Sequence, residues 1–312
     1  NKHLKQTAIL SFVLFAGLAA GCTKNYYEYP EGGGNQRSIT LSSEVQFGTT
    51  PRLQDEQIVS GQSLSLFVTR TGSVEEGSQL YQNNRITANG MGGFIYRVPM
   101  FYPSDGTNID FYAIHPYYDS AILGTPHNFT IQTNQSSQVN YLNSDLLFGT
   151  ETDIPAQTNA VPLIFNHKLS KLDFIVTTSD QSINLDLLTT ISVLQTLSST
   201  TVNTQTGVLT TATGVRENII TYSDPQATGT PTNRVTGYTA IVVPQIMPGG
   251  QQLFEVIIDG IPRFYTHPID YTFESGKKYN ITLDISSTGI TIQSQIANWE
   301  GGGSISGPAG PQ

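Results

Sequence analysis

The chain has 312 residues, only 12% of them charged, a formal net charge of −9 and a single cysteine, Cys22. No Lys/Arg cluster tracks through it in the way phosphate binding requires, which excludes nucleic acid as a partner, and one cysteine excludes a disulfide framework. Polar positions filled by Ser, Thr, Asn, Gln and Gly, together with 10% aromatic residues, suit an exported β-rich protein long enough for two cores.

The first residues read as an address rather than as fold. Lys2, His3 and Lys5 give a positive start, Ala8 to Ala20 form an apolar run, and Ala19-Ala20-Gly21 place small side chains before Cys22. The run is too short for a finished membrane span, which needs about 20 residues, so residues 1–21 are expected to be a cleaved signal peptide. Leu18-Ala19-Ala20-Gly21-Cys22 resembles a bacterial lipobox. It implies that Cys22 carries lipid, becomes the new N-terminus and anchors the protein to a membrane. Residues 22–37, with Glu31-Gly32-Gly33-Gly34-Asn35, have no hydrophobic period and read as a flexible tether.

From residue 38 onward, apolar residues recur at every second position in short runs separated by Gly, Pro, Asn and Asp, the period of half-buried strands. Ile39, Leu41, Val45 and Phe47 share one face of the first run. The Pro/Gln/Asn/Thr stretch Ile154–Asn159 is the expected boundary between an N-terminal sandwich, 38–158, and a C-terminal one, 159–312. Leu172, Phe174 and Val176 repeat the alternation. Leu187–Leu197 fits a helical face through Leu187, Leu188, Ile191 and Leu194, but the Thr and Ser between them suit a strand equally. Asp259-Gly260 supplies the positive φ of a two-residue hairpin turn, and Pro262 just after it favours an edge. Tyr279, Ile281, Leu283 and Ile285, then Ile290, Ile292 and Ile296, close the pattern. Many short strands without long helical crossovers predict an all-β fold of two sandwiches.

Four segments resemble the fimbrillins of Bacteroidales, the pilin and fimbrillin-like lipoprotein group. Phe165-Asn166-His167-Lys168-Leu169-Ser170-Lys171-Leu172-Asp173-Phe174 is similar to that family's Phe-x-His-x-Leu-Ser-Lys-Leu-x-Phe strand. Tyr102–Gly106 followed by Ile109–Tyr117, Ser144–Gly149, and Gly276–Leu283 with Ile296 and Trp299 are similar to its other segments, in the same order. The resemblance implies two tandem transthyretin-like β-sandwiches, export as a lipoprotein, and display in a cell-surface fimbria that supports adhesion. The implied partners are other fimbrial subunits, the outer membrane through the lipid, and host or bacterial surface ligands. It further implies protease cleavage after Arg52, removal of the strand carrying Ile39, Leu41, Val45 and Phe47, and filling of the vacated groove by a neighbour's strand. Arg37 is the alternative cleavage site, but a cut there leaves the strand in place. The tail after Trp299, Glu300-Gly301-Gly302-Gly303-Ser304-Ile305-Ser306-Gly307-Pro308, is a poor strand donor, which points to a tip, anchor or non-polymerising accessory subunit unless Ile290–Trp299 is released as the donor.

Catalytic and metal chemistry find no foothold in the pattern. The five histidines, His3, His115, His127, His167 and His267, show no i, i+4 pair and no cysteine is free to join them. Asp105-Gly106-Thr107-Asn108-Ile109-Asp110 alternates oxygen ligands but lacks the downstream Glu of a calcium loop, so it reads as a turn. No nucleophile elbow or phosphate loop occurs. The expectation is a structural protein with no cofactor, no metal and no enzymatic activity. The alternative is a surface glycan-binding lipoprotein that stacks sugars on exposed Tyr or Trp; a glycoside-processing enzyme ranks third.

Overall fold

The computed structural model describes residues 37–45, 58–73 and 78–299. Cys22, Arg52, Phe47, the expected signal peptide and the Gly-rich tail lie outside the described residues, as does the Val45 side chain. The architecture is all-β, as expected, with one short α-helix among the described residues.

The first seven-stranded sheet uses β1 (Leu41–Val45), β2 (Ser63–Arg70), β3 (Gln79–Ala88), β4 (Phe94–Tyr96) and β5 (Ile109–His115). After β6 (Pro126–Thr130) and α1 (Gln138–Asn143), the chain adds β7 (Leu147–Ile154) and β8 (Val161–His167). The strand order is β1-β8-β7-β5-β2-β3-β4. This sheet curls until its margins meet: Phe94 of β4 and Phe165 of β8 lie 6.4 Å apart between ring centroids. Inside the curl is a core built from Leu64, Leu66, Val68, Ile86, Phe111 and Leu163 among others, each no more than 1% exposed. Gly149 on β7 is required by close approach, because a Cβ there would sit 2.9 Å from the Phe165 ring.

All seven residues of β5 are buried, since the sheet is covered on its outer face too. There Phe67, Tyr112, Ile114 and Phe148 join a second core with Leu123, Phe129 and Ile131. β6 carries Phe129 across and pairs with β10 (Leu188–Asn203), linking the two halves of the chain.

The remaining strands are β9 (Ser170–Thr177), β11 (Thr213–Ile220), β12 (Tyr222–Thr228), β13 (Arg234–Val242), β14 (Gln245–Met247), β15 (Gln252–Ile258), β16 (Ile261–Thr266), β17 (Tyr271–Phe273), β18 (Lys277–Ser286) and β19 (Gly289–Asn298). They form one sheet ordered β11-β10-β15-β16, a second ordered β12-β13-β9-β18-β19, and the pair β14-β17. Phe174 of β9 meets Phe254 of β15 edge to face at 5.2 Å, closing the two larger sheets over a shared core.

Several local expectations meet their structure here. Asp259 and Gly260 both have positive φ, 54° and 69°, and join β15 to the edge strand β16, which holds Pro262. Leu187–Leu197 resolves as strand apart from Leu187, which ends a 3-10 turn. β10 pairs on both sides and carries register shifts, with Gln195 at φ 56°. Those bulges break strict alternation, which is why the spacing also fitted a helix. The Phe165–Phe174 run, expected as one strand, is two. β8 ends at His167 and β9 begins at Ser170, because Lys168 N–H bonds Leu146 O and Leu169 O accepts from Gly276, turning the chain from one sheet into another. The Ile154–Asn159 stretch connects β7 to β8 within the seven-stranded sheet.

Candidate functional site: the first strand and its groove

β1 runs parallel to β8, with Leu41 opposite Val161 through Val45 opposite Phe165. Val161 N–H donates to Thr40 O at 2.8 Å. On its other side the same segment reaches the opposite margin of the sheet. Ile39 N–H donates to Met100 O, Ser43 N–H to Gly92 O, each at 2.8 Å, and Tyr102 N–H to Arg37 O at 3.0 Å. Bridges Ser38–Phe101 and Ser42–Gly93 mark the same contact. The segment is therefore the closing piece of the curled sheet, bonded to β8 on one flank and to the region around β4 on the other.

Alternation decides which side chains enter. Ile39 and Leu41 are 2% exposed and Ser43 6%, whereas Thr40 is exposed and Ser42 half-buried. Burying the two aliphatic side chains contributes about 1.5–3 kcal/mol each. The sequence reading placed Ile39 and Leu41 correctly on one face. It missed Ser43 on that face and Tyr96, whose hydroxyl accepts from Leu41 N–H at 2.7 Å across 55 residues. Burial raises the Tyr96 pKa, partly offset by that bond, so the phenol stays neutral. No signal in the sequence links positions 41 and 96, which meet only when the sheet curls. Arg37 is exposed and donates to Ala156 O at 2.8 Å.

The described histidines have partners of their own. His115 holds Asp145 O at 2.8 Å through Nδ1, and His167 Nδ1 sits 2.9 Å from the Asp145 carboxylate. Trp299 stacks on His167 at 3.8 Å and 7°, and both are 4% exposed. The single tryptophan is thus a buried anchor rather than a surface platform. His127 packs on Tyr118 and His267 on Tyr271. The Asp105 loop is a turn: Asp105 accepts from Thr107 N–H and pairs with Arg70, which together hold its pKa low, while Asp110 accepts from Thr71, Gly72 and Asp153. Among the described residues no group of three His, Cys, Asp or Glu side chains is placed to hold a metal ion.

What the geometry defines is an all-β scaffold whose first strand seals two sheet margins. The fimbrillin-like family matches residues 51–299. The candidate fimbrium subunit Fim1C of Bacteroides uniformis is 23% identical over 313 residues, covering 96% of this chain and 97% of that one. Crystal structures of candidate cell adhesion proteins from Bacteroides uniformis and Bacteroides ovatus superpose with TM-scores of 0.63 and 0.65. Their identities are 20% and 17%, over 84% and 85% of this chain and 98% of each of theirs, and they share the fold. The chain belongs to the fimbrillin-like family, a family of structural proteins of the cell-surface fimbrium.

Proposed function

We propose that this protein is a structural or accessory subunit of the fimbria, in tip or anchor position, exported as a lipoprotein on Cys22 and joined to its neighbours by strand exchange at the β1 groove. The observation that carries the reading is the two-sided bonding of residues 37–45. Withdrawing this segment unpairs Val161 N–H, Met100 O and Gly92 O and opens the seats of Ile39 and Leu41. Each buried polar group left unpaired costs about 1–3 kcal/mol, so the opened groove favours a replacement strand, whose backbone satisfies the bonds and whose alternate side chains fill the seats. Cleavage after Arg52 would free the whole strand from Ile39 to Phe47, whereas cleavage after Arg37 would leave it attached to the fold.

Limited digestion with an arginine-specific protease, followed by mass spectrometry and sizing with a second fimbrial subunit, tests the assembly step. The expected product begins at Leu53 and gains a partner, while Arg52→Ala stays closed and monomeric. Identical behaviour of the two proteins would remove strand exchange through this groove. The anchor is tested separately: labelled palmitate should mark the wild-type protein in cells, and a Cys22→Ala protein that still takes the label would contradict lipidation at that residue.

A further inference from the structure

A polar cleft of about 510 Å³, apart from the β1 groove, is lined by Gln62, Arg85, Tyr117, Tyr118, Asp119 and Asn143 among others. Its volume falls within the ~300–1,000 Å³ of small-molecule sites. Its wall is pinned in place. Tyr117 N–H donates to Ser63 O at 2.9 Å and Tyr118 N–H to Ser65 Oγ at 3.1 Å. Asn83 Nδ2 donates to Tyr118 O at 2.7 Å and Asp119 O at 3.1 Å. The loop after β5 is thus fixed to β2 and β3 before any ligand arrives, which lowers the ordering cost of binding.

The chemistry of the wall is specific. The Arg85 guanidinium carbon lies 5.0 Å from the Tyr117 ring centroid, over its face. Among the described residues Arg85 has no ion pair. A guanidinium seated over an aromatic ring, with no ion pair of its own, keeps its N–H fork for a planar, two-oxygen anion. The wall also carries acceptors. Asp119 supplies a carboxylate beside the Tyr117 hydroxyl. Gln62 supplies a carbonyl, for the following reason. His115 Nδ1 faces Asp145 O, which can only accept, so Nδ1 carries the proton; burial lowers the His115 pKa and keeps the ring neutral, leaving Nε2 as an acceptor. The Gln62 amide atom 2.9 Å from Nε2 occupies the Oε1 position, but two acceptors cannot bond. The amide is therefore assigned with its NH₂ toward His115, which leaves the carbonyl of this cleft-lining residue free to accept from another donor.

One guanidinium set among hydroxyl-accepting oxygens matches a ligand that carries a carboxylate and several hydroxyls on one small ring. We propose that this cleft binds an acidic sugar of the uronic or sialic type, its carboxylate on Arg85 and its hydroxyls on Asp119 and Gln62. A simple carboxylate leaves the acceptors unused, and a neutral sugar leaves the guanidinium without its anion.

Saturation-transfer NMR on the full chain with D-glucuronate, D-glucose and acetate tests the site. Glucuronate should bind about tenfold tighter than glucose, the worth of one charge-assisted pair, and tighter than acetate, which has no hydroxyls for Asp119 and Gln62. Arg85→Gln should bring glucuronate down to the level of glucose, and Asp119→Asn should weaken glucuronate while leaving acetate unchanged. Arg85 and Asp119 are both exposed, so both variants should keep the wild-type unfolding curve. Equal affinity for the three probes, no binding of any, or undiminished glucuronate binding by folded Arg85→Gln would each overturn the proposal.

Discussion

β1 and β19 are held by different means, and the contrast bears on the proposed exchange of β1. β1 makes five residue pairs with β8, and its described inward side chains are Ile39 and Leu41 from just outside and within it, plus the small Ser43. β19 makes ten pairs with β18 without a register shift, from Lys277–Asn298 to Ser286–Gly289. Directly after it, Trp299 donates its N–H to Gly276 O at 2.7 Å and buries its ring against His167 at the end of β8. Extracting β1 opens a groove along one sheet. Extracting β19 breaks ten pairs, against five pairs and the two bridges Ser38–Phe101 and Ser42–Gly93 for the first segment, and removes the plug that joins the last sheet to the first. On the proposed exchange, Ile290–Trp299 is the strand expected to stay and the segment near Ile39 the one expected to be replaced.

The comparison breaks most visibly at its stronger end. Trp299→Ala should lower unfolding free energy by about 3–5 kcal/mol, the range for emptying a buried large aromatic, measured by urea denaturation followed by circular dichroism. A loss near zero would mean that Trp299 does not anchor β19.

Leu41→Ala comes next, at about 2 kcal/mol, the low end for a buried leucine because a short segment can collapse around the gap. Hydrogen exchange sharpens the contrast here. The amides of Ile39, Ser43 and Val161, which bond Met100, Gly92 and Thr40, should exchange faster in this variant while those of β18 and β19 keep their protection. Equal acceleration in both regions would show the two strands opening as one unit.

The smallest effect is acid sensitivity arising from the buried histidines. Burial lowers the His115 pKa from its ordinary 6.5, and the pull of Asp145 the other way does not cancel it; burial also lowers those of His127 and His267. Above pH ~6.5 these groups are neutral in both states. As pH falls through that value toward the folded pKa, the unfolded chain takes up protons that the folded chain refuses, so stability is lost on acidification. Urea midpoints should be lower at pH 5.5 than at pH 7.5, with the single Trp fluorescence reporting the loosening. A midpoint that stays constant or rises on acidification would contradict the assignment.

Much of this fold was legible because strand alternation is a local property. Leu172, Phe174 and Val176 turn inward on β9, Tyr279 to Ile285 on β18, and Asp259-Gly260 makes its hairpin, since each depends only on residues a few positions away. The all-β class and the inward face of Ile39 and Leu41 follow from the same period. Other features depend on contacts the chain makes with distant parts of itself. The break of Phe165–Phe174 into two strands rests on Leu146 and Gly276 claiming the turn's backbone groups. The strand identity of Leu188–Leu197 rests on partners at both edges absorbing its bulges. The Tyr96 bond to Leu41, the His167–Trp299 stack and the seat of Arg85 over Tyr117 join residues brought together only by sheet curl and sheet packing. Periodicity by itself determined which residues face inward; which inward face meets which other was decided by tertiary structure, because pairing across a sheet is a long-range contact that no local pattern encodes.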